Sequence, residues 1–204
     1  RVAIQGYGNA GSHMATLLHA EGARVVAVSD SRGGVQNARG LDPAQLQAHK
    51  AKGQSLKTFP GGTSITNKQL LELPVDILVP AALENQITAN NAPRIRAKIV
   101  AEAANGPTTP LADDVLFKRG RTVIPDILAN AGGVTVSYFE WVQDFSSFFW
   151  DEDEVDRRLE VYMKRAYKAV AATAAKHQCS LRGGAYVLAV DRVAEATRVR
   201  GIFP

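Results

Sequence analysis

Short, uninterrupted apolar runs alternate with helical patterns over the first part of the chain. Continuous apolar runs are typical of strands covered on both faces, as in a parallel sheet. They predict strands at residues 2–4, 25–28, 75–79, 99–101 and 122–124. Helices are predicted between them, at residues 10–21, 43–52, 67–73, 88–94 and 110–118. Thr109 and Pro110 suit the N-cap and first turn of the last of these helices. The alternation indicates an α/β fold, a doubly wound and mostly parallel sheet with helices on both faces.

The pattern changes after Ile127, where the strand signal ends. Three helical segments are predicted beyond it, at residues 128–144, 152–177 and 185–198, with breaks at residues 145–151 and 182–184. We therefore expect a core of residues 1–127 followed by C-terminal helices over residues 128–204. Because an apolar strand starts directly after Arg1, with no initiator methionine, we interpret the chain as a fragment of a longer protein.

A glycine-rich turn lies between the first predicted strand and the first predicted helix. Residues 6–11 fit the pattern G-x-G-x-x-G, and a second strand ends at Asp30, 19 residues beyond Gly11. In a Rossmann-like fold, Gly6 permits the tight turn, Gly8 lets the backbone approach a pyrophosphate, and Gly11 lets helix and strand pack closely. The helix N-terminus attracts the phosphates. We interpret the segment as a dinucleotide-binding turn rather than a glycine turn without a ligand.

The residues after the second strand affect the choice of dinucleotide. Asp30 can bind the adenosine ribose hydroxyls and would repel a 2′-phosphate, which favours NAD. Arg32 could instead hold that phosphate, although an ordinary exposed loop position explains it equally well. We therefore expect NAD, and leave NADP or dual use open.

Three further segments follow predicted strands, at residues 80–86, 101–107 and 125–134. A doubly wound sheet places its ligands beyond the carboxyl ends of its strands. Each segment combines small residues with an amide, namely Gln86, Asn105 or Asn130. One such amide would be explained as a turn cap, but three at successive strand ends indicate a site for a flat ring and its ribose.

A stripe of one amide, one branched apolar side chain and one hydroxyl marks the helix predicted after residue 128. Asn130, Val134 and Ser137 are spaced i, i+4 and i+7, so they share one face of a helix. Gly132 and Gly133 are poor helix formers, which suggests that a ligand approaches the backbone there. We interpret the stripe as one wall of a small-substrate site; the alternative is that Ser137 is a hydrogen-bonded core hydroxyl.

Composition and charge help to exclude several classes of protein. The net charge is +4 and the isoelectric point near 9.3, but acids and bases are interleaved, so nucleic-acid binding is not predicted. Cys179 is the one cysteine, which fits a reducing compartment. No segment resembles a membrane span or a secretory signal. We expect a cytoplasmic protein that binds neither nucleic acid nor membranes.

Together these motifs resemble the nucleotide-binding C-terminal half of glutamate dehydrogenase, in the glutamate/leucine/phenylalanine/valine dehydrogenase family. The likeness covers essentially the whole chain. It is carried by residues 6–11, 29–31, 80–86, 102–109 and 130–141. Leucine and phenylalanine dehydrogenases share Asn-Ala-Gly-Gly-Val but typically lack the Val-Ser-Tyr-Phe-Glu-Trp continuation at residues 136–141, so glutamate is favoured. The resemblance implies oxidative deamination of L-glutamate to 2-oxoglutarate and ammonia, with hydride passing to NAD or NADP, in a homo-oligomeric, hexameric parent enzyme.

The resemblance also implies roles for individual residues. The pyrophosphate would lie against Gly8, Asn9 and Ala10, within the turn from Gly6 to Gly11. The adenosine ribose would lie against Asp30 and Ser31. The nicotinamide end would meet Ala82, Gln86 and Asn105, and Asn130 would lie where nicotinamide ribose and substrate meet. The glutamate side chain would contact Val134 and Ser137.

The resemblance implies that the family's catalytic lysine and aspartate lie in an N-terminal substrate domain, which we expect to be missing from this chain. Lys50, Lys52, Lys57 and Lys68 have no motif context and are interpreted as solvated charges. The four histidines lack metal-ligand spacing, and Cys179 lacks an evident base. We therefore assign no catalytic acid or base and no metal site, and we expect the chain alone to be inactive. The alternative is a stand-alone dinucleotide-binding sensor without catalysis.

Overall fold

The computed structural model describes residues 1–201. The chain divides into two compact units, one of residues 1–126 and one that begins at Ile127. The first unit is an α/β unit and the second is helical within the described residues.

The first unit contains a seven-stranded sheet. Its strands are β1 (Val2–Gln5), β2 (Val25–Asp30), β3 (Gly33–Gln36), β4 (Thr63–Ile65), β5 (Ile77–Pro80), β6 (Ile99–Ala101) and β7 (Thr122–Ile124). The order is β4-β3-β2-β1-β5-β6-β7, and β1, β2, β5, β6 and β7 pair in parallel. The predicted doubly wound, mostly parallel fold is therefore confirmed.

Two strands were not expected from the sequence. β3 and β4 pair antiparallel at one side of the sheet. β3 begins with two glycines, and β4 has two exposed residues out of three, so neither shows a continuous apolar run. Packing explains why glycine is used: a Cβ on Gly34 would lie 2.3 Å from the Val28 carbonyl oxygen of the neighbouring strand.

The helices of the first unit cover both faces of the sheet. They are α1 (Asn9–Ala20), α2 (Pro43–Ala51), α3 (Asn67–Leu71) and α4 (Pro110–Lys118). Val2 and Ile4 pack in one core cluster and Ala3 in the other, as the alternation of side chains along a strand requires. Both faces of the sheet are therefore buried.

The predicted helix at residues 88–94 is wrong. Only a single 3-10 turn forms there, over Ala92–Arg94. Pro93 disfavours helical backbone at the residue before it, and the Asn91 side chain accepts a hydrogen bond from the Thr88 amide at 2.8 Å. Thr109 does precede α4, but its side chain makes no capping hydrogen bond.

The second unit consists of α5 (Asp126–Ala129, which starts at the boundary), α6 (Ala131–Ser146), α7 (Glu152–His177) and α8 (Leu181–Arg200). The continuous helix expected over residues 128–144 is interrupted at Asn130, the N-cap of α6. The break expected at residues 182–184 is also wrong. The chain turns earlier, at Gln178 with φ of +52°, and the Ser180 side chain caps α8 at the Gly183 amide.

Glycine at position 184 lets α7 and α8 approach closely. A Cβ there would lie 2.8 Å from the Ala174 backbone nitrogen, so Gly184 serves helix packing rather than a chain break. In the part of the chain that the structure describes, no helix is both long and apolar enough to cross a membrane.

Candidate functional site

Two glycines of the turn after β1 are required by packing. Gly6 has φ of +95°, and a Cβ there would lie 2.6 Å from the Ala81 carbonyl carbon. A Cβ on Gly11 would lie 1.8 Å from the Gly6 carbonyl oxygen. Any side chain at either position would collide with backbone, so these glycines shape the turn and bring it against the loop after β5.

Gly8 differs from both because the space that a side chain would occupy there is empty. No heavy atom lies within 4 Å of a Cβ built on Gly8, and its backbone angles, φ −84° and ψ −155°, suit other residues. Gly8, Asn9 and Ala10 are exposed at the N-terminus of α1. The first turn of α1 carries no acidic residue, and no side chain caps it. Its backbone N–H groups and the helix dipole are therefore available to an anion.

The order of the strands places this turn at the switch point of the sheet. The chain runs from β1 outward through β2 on one side, while β5 lies on the other side of β1. The carboxyl ends of β1 and β5 are neighbours, with Gln5 opposite Pro80. Ligands of doubly wound sheets bind in this crevice. Ala82, exposed and small, lies in the loop after β5 as predicted.

Asp30 is the last residue of β2, and both oxygens of its carboxylate lie close to groups of Arg32. One oxygen accepts a hydrogen bond from the Arg32 amide at 2.9 Å, and the other lies 4.0 Å from the Arg32 guanidinium. The Asn67 side chain holds this strand end, donating to the Asp30 carbonyl at 2.9 Å. Ser31 and Arg32 are exposed. Asp30 and Arg32, the two charged residues that affect the choice of coenzyme, therefore lie in one turn. Their charged groups are close enough for each to affect the other.

Gln86 has partners on both ends of its amide. Its oxygen accepts from the Gln5 side chain at 2.7 Å, and its nitrogen donates to the Glu84 carbonyl at 3.0 Å. These bonds fasten the loop after β5 to the end of β1. A side-chain amide has two N–H donors and two acceptor lone pairs, so the predicted contact of Gln86 with the nicotinamide end does not require either bond to break.

Two carboxylates hold the loop that follows β6. Glu102 is fully buried and accepts the Asp126 amide at 2.8 Å, and the Asp126 side chain accepts the Gly106 amide at 2.8 Å. Asn105, between these anchors, is exposed at the carboxyl edge of the sheet. Sequence analysis missed Glu102 and Asp126 as supports. A carboxylate within two residues of the end of a predicted strand is the signal that could have found them.

The predicted substrate stripe lies on α6 in the second unit. Val134 is 72% exposed, and Ser137 is also exposed, whereas Phe139 is buried. The alternative in which Ser137 is a core hydroxyl is therefore wrong. No heavy atom lies within 4 Å of a Cβ built on Gly133, so packing inside the described protein does not require glycine at that position. Asn130 is partly buried at the N-cap of the same helix.

Comparison with known proteins identifies the family. The sequence model of the glutamate/leucine/phenylalanine/valine dehydrogenases matches residues 1–201. The chain belongs to this dehydrogenase family. It is 58% identical over 204 residues to a glutamate dehydrogenase of Thermotoga maritima, covering all of this chain and 49% of that protein.

Solved structures show the same relation. A hetero-hexameric glutamate dehydrogenase of Thermus thermophilus, in its leucine-bound form, is 38% identical, with a TM-score of 0.92 over all of this chain and 48% of the other. The glutamate dehydrogenase of Peptoniphilus asaccharolyticus is 37% identical, with a TM-score of 0.83 over 99% of this chain and 47% of the other. The chain spans about half the length of the family members it matches.

In this dehydrogenase chain, the interpretation of Lys50 as a solvated charge was wrong. Lys50 is partly buried and donates from Nζ to the Tyr7 carbonyl oxygen in the glycine turn, at 2.5 Å. Lys52, Lys57 and Lys68 are not buried. The partner of Lys50 lies 43 positions away along the sequence, so no local pattern indicates it.

Tyr7 gives the dehydrogenase turn an apolar anchor. The side chain is 2% exposed, and its hydroxyl donates to the Pro43 carbonyl at 3.4 Å. Burial, with a further contribution from the charge of Asp42, raises the pKa of Tyr7 to about 12. The phenol therefore stays neutral throughout the physiological range. Among residues 1–201, no three His, Cys, Asp or Glu side chains form a group that could hold a metal ion.

Proposed function

We propose that this chain is the coenzyme-binding half of a glutamate dehydrogenase, which oxidatively deaminates L-glutamate to 2-oxoglutarate and ammonia. The observation that carries the proposal is the open glycine turn at the switch point of the sheet. Gly8 leaves space above the N-terminus of α1, while Gly6 and Gly11 are needed for packing. Together with a 58% identical glutamate dehydrogenase, this arrangement favours a dinucleotide over any other anionic ligand.

The residues present fit a nicotinamide dinucleotide. Gly8, Asn9 and Ala10 would hold the pyrophosphate at the N-terminus of α1, and Asp30 and Ser31 the adenosine ribose. The small, exposed Ala82 leaves room for a flat ring, and Gln86 and Asn105 would meet the nicotinamide end. The bound coenzyme supplies the hydride acceptor for the substrate.

NAD is the proposed coenzyme, with NADP or dual use as the competing outcome. The Asp30 carboxylate opposes a 2′-phosphate, but Arg32 lies 4.0 Å from it and weakens that repulsion. The balance between these two side chains decides the preference.

Asn130, Val134 and Ser137 would contribute the substrate side of the site. The exposure of Val134 and Ser137 is compatible with this role, because a side chain must be accessible in order to contact a substrate. A stand-alone sensor would not need them, so that alternative is not favoured. The catalytic acid–base groups, in this proposal, belong to the other half of the parent enzyme.

The parent enzyme is proposed to be a hexamer, in line with the hetero-hexameric relative from Thermus thermophilus. A cytoplasmic location is expected from the single cysteine and stays a prediction.

Calorimetric titration of the 204-residue chain with NAD, NADP and ATP tests the coenzyme assignment. We expect saturable binding of one or both dinucleotides and weaker binding of ATP, which lacks the nicotinamide riboside. Absence of dinucleotide binding by a folded chain would overturn the proposal.

A further inference from the structure

Helix α2 is attached to the glycine turn at both of its ends. At its first residue, the Pro43 carbonyl accepts a hydrogen bond from the Tyr7 hydroxyl at 3.4 Å. At its C-terminal end, Lys50 Nζ donates to the Tyr7 carbonyl oxygen at 2.5 Å and lies 5.7 Å from the centre of the Tyr7 ring. The lysine and its acceptor are 43 positions apart in sequence.

The bond to the Tyr7 carbonyl fixes the direction of the next N–H group. The Tyr7 carbonyl and the Gly8 N–H belong to one planar peptide unit, in which they point in opposite directions. An ammonium that holds the carbonyl on the side of α2 therefore holds the Gly8 N–H on the other side. Hydrogen bonding to the carbonyl also polarises that N–H and makes it a stronger donor.

The charge of Lys50 is not cancelled by a neighbouring acid. Within residues 1–201, no carboxylate lies within ion-pair distance of Lys50 Nζ. Asp42 caps the other end of α2, where it accepts the Ala44 amide at 2.8 Å. A partly buried cation on one side of the Tyr7–Gly8 peptide would therefore attract an anion bound on the opposite, exposed side.

We propose that Lys50 is a positioning residue for the pyrophosphate of the coenzyme. Its ammonium group keeps the Gly8 N–H directed toward the diphosphate. It also places one positive charge on the opposite side of the Tyr7–Gly8 peptide. The inference rests on the proposed function, since it requires that the glycine turn binds a dinucleotide. It assigns Lys50 no contact with the substrate and no part in proton transfer.

Three variants separate this role from a merely structural one. Lys50→Met keeps most of the stem and removes the charge, and Lys50→Arg keeps the charge and the ability to donate. Lys52→Met is the matched control, because Lys52 is an exposed lysine two positions further on, at the C-cap of α2. Urea unfolding of each variant establishes whether the fold is retained.

The ligands to titrate are NAD, ADP and adenosine, the first two by calorimetry and the weaker adenosine by NMR. Lys50→Met should weaken NAD and ADP binding by about ten-fold, the lower end for a hydrogen bond to a charged group, and leave adenosine unchanged. Lys50→Arg should recover part of the loss, and Lys52→Met should match the wild type. The salt dependence of NAD binding should also decrease in Lys50→Met, since one cation near the phosphates is gone.

Two results would overturn the inference while leaving the proposed function standing. One is NAD affinity in Lys50→Met equal to that of the wild type. The other is an equal loss for NAD, ADP and adenosine accompanied by lower stability, which would show a structural role only. If the wild-type chain binds neither NAD nor ADP, the proposed function itself fails, and the inference with it.

Discussion

Replacement of Gly8 by valine separates ligand space from folding more cleanly than any other change in the glycine turn. The structure leaves open space around a Cβ at Gly8, and the backbone there has ordinary angles for an L residue. We therefore expect Gly8→Val to change the free energy of unfolding by less than about 1 kcal/mol. The added methyl groups instead occupy the position from which a pyrophosphate would reach the N-terminus of α1.

The effect on binding can be estimated from the donors that valine would block. Charge-assisted hydrogen bonds contribute about 1.5–3 kcal/mol each, so the loss of two costs roughly 3–6 kcal/mol. At about 1.4 kcal/mol per factor of ten, NAD affinity should fall by about two to four orders of magnitude. Gly8→Ala, with one methyl group, should give a smaller loss in the same direction.

Gly11→Ala provides the contrast. A Cβ there would lie 1.8 Å from the Gly6 carbonyl oxygen, so the helix and turn must separate. We expect this variant to lose stability by roughly 1–3 kcal/mol, as overpacked sites do. Calorimetry with NAD and urea unfolding, applied to both variants, check the pair. Equal NAD affinity in Gly8→Val and wild type would refute the assignment of the turn to the pyrophosphate.

Three further predictions concern other parts of the site. Asp30→Ser should raise affinity for NADP relative to NAD, and Arg32→Ala should lower it; an unchanged ratio in both variants, measured by calorimetry, would mean that discrimination lies elsewhere. In the proposed parent enzyme, Ser137→Ala should weaken the use of glutamate by about 1.5–3 kcal/mol in kcat/KM, and an unchanged kcat/KM would remove Ser137 from the site. Because the pKa of Tyr7 is raised to about 12, folding favours its neutral form. This stability is fully present below the ordinary tyrosine pKa of about 10 and is lost as pH rises through about 12. Urea unfolding across this range should show a steeper loss in the wild type than in Tyr7→Phe, and identical profiles would contradict the raised pKa.

The sequence predicted those features that local chemistry encodes. A Cβ on Gly6 or Gly11 would collide with backbone, so the turn requires glycine at both positions. The glycine pattern in the sequence therefore predicts the turn. The five parallel strands are continuous apolar runs because both faces of the sheet are covered. The predicted bounds of α4 and α7, residues 110–118 and 152–177, are confirmed.

Features that depend on distant partners were not predictable in this way. β3 forms through pairing with β2 and carries no apolar run of its own. Lys50 has the local context of a surface lysine, and only the fold brings it to the Tyr7 carbonyl. The start of α8 was misplaced because Gly183 and Gly184 look like a chain break, whereas Gly184 serves close packing against Ala174.

The most direct test of the central claim is glutamate-dependent production of NADH or NADPH, measured by absorbance. The assay compares the isolated 204-residue chain with the same chain joined to the N-terminal half of the 58% identical Thermotoga maritima enzyme. We predict that the isolated chain binds dinucleotide without turnover and that the joined protein oxidises glutamate. Robust turnover by the isolated chain would show that it contains a catalytic group that we have not assigned. A folded, joined protein that binds NAD but does not oxidise glutamate would contradict the assignment to glutamate dehydrogenase.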